Sequence, residues 1–124
     1  MFHALVSEEN KPSYTVSNQL CADCYFRKVS YAHFGTKNHW RQLKDLFESQ
    51  NGRCALSGVS LTLGVDVELD HIKPSSREGT DSLDNVQWVL CVVNRMKDHM
   101  LESEFFGLVE KLYHTMKERN TPSA

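Results

Sequence analysis

The 124-residue sequence has no long apolar run and no strong excess of charge of either sign. Its longest apolar stretch, Trp88 to Val93, is far shorter than the ~20 residues that a membrane-spanning helix needs. The first residues turn acidic at Glu8 and Glu9 before an apolar segment forms, so we expect no signal peptide. Repeats and low-complexity segments are also missing. These absences predict a cytoplasmic protein with no membrane partner.

The composition argues against a disordered protein and against a protein that merely coats nucleic acid. A hydrophobic content of 40% with 24% charged residues is ordinary for a globular domain and argues against disorder. A net charge of -2 is unlike that of a protein that merely coats nucleic acid. In a cytoplasmic protein the four cysteines are expected to be thiols or metal ligands rather than disulfides.

Basic residues are concentrated in one segment. Between Cys24 and Lys44 there are five basic residues and no acidic ones, and aromatic residues lie among them. Such a segment suits a surface that contacts phosphates and stacks on bases, for which Arg27, Lys28 and Arg41 are the candidates. The alternative is a solvated helix face beside core aromatics.

The periodicity predicts an α+β fold in a single domain over residues 1–124. We expect an N-terminal arm with a Cys-x-x-Cys segment over 1–35, and a helix followed by a hairpin over 36–64. Two strands and a helix are expected over 65–100, and a C-terminal helix over 101–120. The apolar stripe of that last helix has ordinary core spacing, so we expect the helix to pack over the preceding unit.

Oxygen-bearing side chains occur at the predicted strand ends and on the helix that follows. Asp70 and His71 end one strand, Asn85 precedes the next, and Asn94 and Asp98 lie one helical turn apart. A strand, loop, strand and helix in this order return the helix across the first strand, so Asp70 and Asn94 can face each other. Asp70, Asn94 and Asp98 could then bind one cation, and Mg²⁺ or Mn²⁺ prefers such oxygen ligands.

Asp70-His71, Asn85 and Asn94 resemble, in identity and spacing, the motif of the HNH (His-Asn-His) endonucleases. The wider chain resembles the small stand-alone members of that family in phages and bacteria. Gly52-Arg53-Cys54-Ala55, Asn85 to Val89 and Val93 to Lys97 match further blocks of their pattern. The resemblance implies a ββα-metal (His-Me finger) core, with an N-terminal helix and a C-terminal packing helix around it.

The resemblance also implies a function, the metal-dependent hydrolysis of DNA phosphodiester bonds. His71 would activate the attacking water, and Asn85 would orient the His71 ring. Asp70 and Asn94, with Asp98 as a third candidate, would bind the metal ion. Lys97 would contact a phosphate, and Lys73 and Arg77 are further candidates for DNA contacts. The motif departs from its literal name, because an asparagine stands at the third position.

Three alternatives stay open from the sequence. The chain could be a non-catalytic or partner-dependent nucleic-acid-binding module on the same scaffold, or a nuclease for RNA or branched DNA. It could also act as a homodimer or within a larger nuclease complex. Taken singly, Asp70 and Asn85 would be turn residues and Lys97 a solvated helix residue; their joint spacing favours the nuclease.

The spacing of Cys21 and Cys24 is typical of one half of a zinc site, and the sequence lacks a second Cys-x-x-Cys pair. Cys54 is one candidate to complete a structural Zn²⁺ site, and His33 and His39 are others, but the spacing does not select among them. Reduced thiols are the alternative. Cys91 is expected to be a buried apolar thiol.

Overall fold

The computed structural model describes residues 15–16, 21–77, 79–80 and 82–120. It confirms an α+β fold, whose strands are β1 (Thr15–Val16), β2 (Thr62–Leu63), β3 (Val67–His71) and β4 (Val86–Leu90). The helices are α1 (Ala22–Phe34), α2 (Trp40–Ser49), α3 (Cys91–Lys97) and α4 (Glu102–Asn120). Most of the predicted N-terminal arm before Cys21 lies outside the described residues. None of the helices in the described part is long and apolar enough to cross a membrane.

Strands β3 and β4 form an antiparallel pair that carries the segment with the motif. Asp70 lies opposite Gln87 and His71 opposite Val86. The alternating Val67, Leu69 pattern and the branched and aromatic residues of β4 favour extended backbone. Helix α3 begins at Cys91, immediately after β4, and packs against both strands. The backbones of β1 and β2 form a separate, short parallel pair.

The core is built around Trp88 of β4. Its ring is fully buried, with centroids 5.7 Å from both Phe26 of α1 and Phe47 of α2, in edge-to-face geometry. The indole Nε1–H donates to the Leu43 carbonyl at 3.0 Å, which satisfies the only polar atom of the buried side chain. This cluster fixes α1 and α2 against the strand that leads into α3.

Helix α1 is the largest departure from the predicted elements, because the sequence predicts an arm there. The Sγ of Cys21 accepts a hydrogen bond from Cys24 N–H at 3.2 Å and caps the N-terminus of the helix. Gly35 ends the helix with φ of 72°, a left-handed conformation that costs glycine nothing. Only Phe26 and Ser30 are buried on α1, so its apolar stripe is narrow.

The segment between α2 and β3 is also less regular than predicted. Helix α2 ends at the expected Asn51-Gly52 turn, where both residues have positive φ. The predicted strand at Cys54 to Leu56 is a turn, and within the described residues the hairpin is reduced to one bridge between Arg53 and Ser60.

The packing predicted for the C-terminal helix is wrong over most of its length. Phe105 is buried at 5% exposure, and every described side chain from Leu108 to Asn120 is exposed. The first turns of α4 hold it to the body of the protein, and the rest of the helix extends away from the core.

Candidate functional site

Facing side chains of β3 and α3 form the centre of the site. Glu68 and Asp70 are two residues apart on β3, so they share one face of the strand. Asn94 and Lys97 are three apart on α3 and share one face of the helix. Asn94 Nδ2 donates to Glu68 Oε2 at 2.9 Å, and Lys97 Nζ donates to Asp70 Oδ2 at 2.8 Å. The structure therefore brings Asp70 and Asn94 into one interface.

The Lys97 ammonium is fully buried and has three acceptors. Besides Asp70 Oδ2 it donates to the main-chain carbonyls of His71, at 2.9 Å, and Ile72, at 3.3 Å. An ammonium has three N–H donors, so its hydrogen-bonding capacity is filled. Lys97 thus fixes the backbone at the end of β3 from inside the protein, and in this conformation its charge does not face solvent.

A second group of hydrogen bonds ties Asp70 to α4. Gln87, opposite Asp70 in the sheet register, donates through Nε2 to Asp70 Oδ2 at 3.1 Å and to Glu102 Oε1 at 2.9 Å. The side chain of Asp70 is 7% exposed, and both of its bonds fall on one oxygen. Within the described residues nothing donates to Asp70 Oδ1, and the same holds for Asn94 Oδ1.

Asn85 braces the loop between β3 and β4. Its Oδ1 accepts from Lys73 N–H at 2.9 Å, and its Nδ2 donates to the carbonyls of Lys73 at 2.9 Å and Thr80 at 2.7 Å. Its main-chain carbonyl also accepts from Ile72 N–H. These bonds span both sides of the loop, so Asn85 fixes the chain just after His71.

His71 is the last residue of β3 and is half-buried. Lys97 donates to the Asp70 carboxylate and to the His71 carbonyl. On the other side, Ile72 N–H donates to the Asn85 carbonyl. The imidazole therefore projects from backbone that is fixed on both sides.

Asp98 lies just beyond the helix that carries Asn94, and its N–H donates to the Asn94 carbonyl at 3.0 Å. Helix α3 ends at Lys97, three residues earlier than expected, and Asp98 adopts φ of 49° and ψ of -121° beyond it. Its carboxylate is exposed and lies 3.6 Å from His99 Nε2. Among the described residues, its carboxylate has no hydrogen bond to β3.

A cleft of about 730 Å³ lies between α1 and β3 and reaches the site. Lys28 and His33 of α1 line one wall, and Glu68 and Asn94 line the other. The size is in the range of clefts that hold small ligands. Lys28, one of the predicted phosphate contacts, therefore shares a cleft with Asn94.

Arg27 and Arg41 lie on a different feature, the ring of Trp40. Their guanidinium carbons are 4.5 Å and 4.9 Å from its centroid, which is cation–π geometry. The two remaining predicted phosphate contacts are in the β3–β4 loop. Lys73 is exposed, and Arg77 forms an ion pair with Glu104 at 3.0 Å.

The thiols of Cys21 and Cys24 are adjacent, with their sulfur atoms 2.8 Å apart. Hydrogen bonding to Cys21 raises the pKa of Cys24, so this thiol stays protonated near neutral pH. Cys54 is buried elsewhere in the core, where its Sγ accepts from Ser57 N–H at 3.4 Å. Burial alone would raise the pKa of Cys54, but hydrogen bonds from Ser57, Leu90 and Leu56 lower it.

In the part of the chain that the structure describes, no group of three or more His, Cys, Asp and Glu side chains could hold a metal ion. The zinc site therefore stays a prediction, and any ion between β3 and α3 would need an amide ligand as well as a carboxylate. Glu68, Gln87 and Glu102 were not predicted from the sequence. Glu68 could have been, because alternation along β3 places it on the face of Asp70.

Comparison of the chain with models of known protein families finds no match.

Proposed function

We propose that this protein is a metal-dependent endonuclease of the HNH type that hydrolyses phosphodiester bonds in DNA. The observation that carries the proposal is that β3 and α3 face each other through two contacts, Lys97 with Asp70 and Asn94 with Glu68, next to His71 at the end of β3. The cleft lined by Lys28, Glu68 and Asn94 supports the proposal, because it opens beside the contact between β3 and α3.

His71 is the proposed general base. A neutral imidazole can accept a proton from water, which is what a general base does. Lys97 and Asn85 keep the backbone around His71 fixed, and a base must stay within hydrogen-bond distance of the proton it removes. In the proposal both are positioning residues, and Lys97 is not a phosphate contact.

Asp70 and Asn94 are the proposed metal ligands, and the donors present fit Mg²⁺ or Mn²⁺. Asp70 Oδ1 and Asn94 Oδ1 are hard oxygen donors, and no described residue hydrogen-bonds to either. A bound Mg²⁺ would polarise the scissile phosphate and stabilise charge on the leaving 3′ oxygen. Two protein ligands suffice, since Mg²⁺ in phosphate-binding sites keeps waters and substrate oxygens as its other ligands. Asp98 is left out of this set.

The proposed DNA surface combines the cleft with the side chains of Trp40, Arg27 and Arg41. Lys28 would contact a phosphate at the cleft, and Arg27 and Arg41 would contact the backbone at Trp40. Contacts of this kind position the duplex and read little sequence. The proposal therefore includes low intrinsic sequence specificity.

The test is nicking of supercoiled plasmid by the wild type, His71→Ala and His99→Ala, in Mg²⁺, in Mn²⁺ and with EDTA. We expect metal-dependent nicking by the wild type and a loss of roughly 10²–10⁴-fold in His71→Ala, the usual contribution of a general base. His99 is exposed, outside the interface, and is the matched histidine control.

Equal activity of the two variants would rule out His71 as the base. No cleavage by a folded wild type would favour a binding module or a partner-dependent enzyme. Faster cleavage of RNA or branched DNA than of duplex would change the substrate assignment.

A further inference from the structure

Helix α4 carries an apolar stripe that no other part of the chain within the described residues covers. Beyond the buried Phe105, the stripe consists of side chains that are 37–54% exposed. They recur every three or four residues and so lie on one side of the helix. The members of the stripe are Phe106, Val109, Leu112, Tyr113 and Met116.

The spacing within the stripe is that of a helix-pairing seam. Val109, Leu112 and Met116 are separated by three and four residues, which is the alternation that two packed helices use. Phe106 and Tyr113 widen the same face. A solitary solvated helix has no physical need for this pattern, because each exposed aromatic or aliphatic side chain there is unfavourably hydrated.

Charge along α4 is divided between its two halves. Residues 102–110 contain three glutamates and no lysine or arginine, a net charge of -3. Residues 111–120 contain Lys111, Lys117 and Arg119 against Glu118, a net charge of +2. A parallel copy would place like charges side by side. An antiparallel copy would place the acidic half of each helix beside the basic half of the other.

We propose that the α4 stripe binds the α4 stripe of a second copy of this chain in an antiparallel two-helix contact. The self-complementary charge favours a second copy over an unrelated protein. A membrane surface is disfavoured because the helix has a net charge of -1, from -3 and +2, and anionic lipids attract basic helices. The proposal does not depend on nuclease activity.

The contact is limited in size. A helix of 19 residues is about 28 Å long at a rise of about 1.5 Å per residue. We expect a contact along this one helix to bury less surface than a standard interface of about 800 Å² per partner. We therefore expect a dimer that forms at micromolar concentrations and dissociates on dilution.

The first experiment is sedimentation equilibrium of the full chain across the micromolar range, with Leu112→Glu and His114→Glu for comparison. We expect the wild type to dimerise and Leu112→Glu to raise the dissociation constant at least about tenfold, because it places a charge in the seam. His114→Glu introduces the same side chain on the opposite side of the helix and should leave dimerisation intact. Both positions are exposed, and circular dichroism would verify the helix content.

The second experiment tests the charge arrangement. Two double variants of the chain change the charge of α4 in opposite directions. One carries Lys111→Glu and Lys117→Glu, and the other carries Glu110→Lys and Glu118→Lys. Each version alone should self-associate more weakly than the wild type, and an equimolar mixture should recover dimers.

A wild type that stays monomeric at every concentration would overturn the proposal. This holds whether the stripe is then found to be solvated, covered by residues 1–14 or bound to vesicles. Dimers that Leu112→Glu leaves unchanged would place the contact elsewhere and would overturn it equally.

Discussion

Lys97 is the residue whose predicted environment differs most from the one observed. A lysine three positions after Asn94 is expected to be solvated or to contact phosphate. Its burial depends on acceptors that come from the far end of β3, the Asp70 carboxylate and two main-chain carbonyls. Helical periodicity shows which face a residue is on, but it does not show what that face meets.

Removing the Lys97 ammonium should destabilise the protein strongly. Lys97→Met keeps the length of the side chain but leaves the Asp70 carboxylate buried without its cation. Losing one partner of a buried ion pair typically costs about 3–5 kcal/mol, so we expect a loss of about 3 kcal/mol in the free energy of unfolding, measured by urea denaturation.

Arg95→Met is the matched control on the same helix. Its side chain is 78% exposed and 3.6 Å from Glu68, so the change should be within about 0.5 kcal/mol. If both variants lost equally little stability, the Lys97–Asp70 pair would contribute nothing.

At the scale of elements, α2 was accessible from sequence because its apolar residues follow the helical period, and β4 because it is rich in branched and aromatic residues. Helix α1 was not. Its N-cap is a cysteine, which is not one of the usual capping residues, and it buries only two side chains. Helix α3 was predicted too long because the polar pattern continues past Lys97, while the positive φ of Asp98 ends the helix there.

The first turn of α4 contains a pH-sensitive cap. Glu104 Oε1 accepts from Leu101 N–H at 2.9 Å and from Arg77 at 3.0 Å, and these bonds lower the pKa of Glu104. A carboxylate whose pKa is lowered by folding stabilises the folded state at pH values above its ordinary pKa. This stabilisation is lost as the pH falls through the pKa that the group has in the folded state.

We therefore expect Glu104→Gln to lower the melting temperature at neutral pH, with the difference from wild type disappearing in acid. Thermal unfolding followed by circular dichroism over this pH range measures both. Glu110→Gln, an exposed change on the same helix, should leave the pH dependence as in the wild type. A Glu104→Gln difference that persists in acid would contradict the ionic origin of the cap.

At the scale of the whole molecule, the chain separates its basic groups between several surfaces. The sequence predicts one basic segment, but folding turns Lys28 towards the cleft and Arg27 and Arg41 towards Trp40. Lys44 is neutralised by Asp23 at 2.8 Å. The two strands and the facing helix could be predicted from local pattern; the arrangement of charge could not, because it depends on how α1 packs against β3.

Replacing Arg27, Lys28 and Arg41 by glutamine should weaken DNA binding and reduce its salt dependence. Each phosphate contact contributes about 0.9 to the slope of log K against log salt concentration, so three contacts predict a reduction of about 2–3. Fluorescence anisotropy of a labelled duplex at several salt concentrations gives the slope.

Replacing Lys111, Lys117 and Arg119 removes the same charge from α4 and should leave the slope close to that of the wild type. If instead this control variant lost the slope, DNA would bind along α4 rather than at the cleft.

The contrasting positions of the two tryptophans have an optical consequence. Trp88 is fully buried among aromatic rings, and Trp40 is half-buried with two guanidinium groups close to its ring. Phosphates that draw those cations away would change the emission of Trp40 alone, since cation and ring interact only at close range. Unfolding would expose both indoles to water. The native fluorescence of an unlabelled sample therefore contains two separable signals, one for ligand occupancy and one for the integrity of the core.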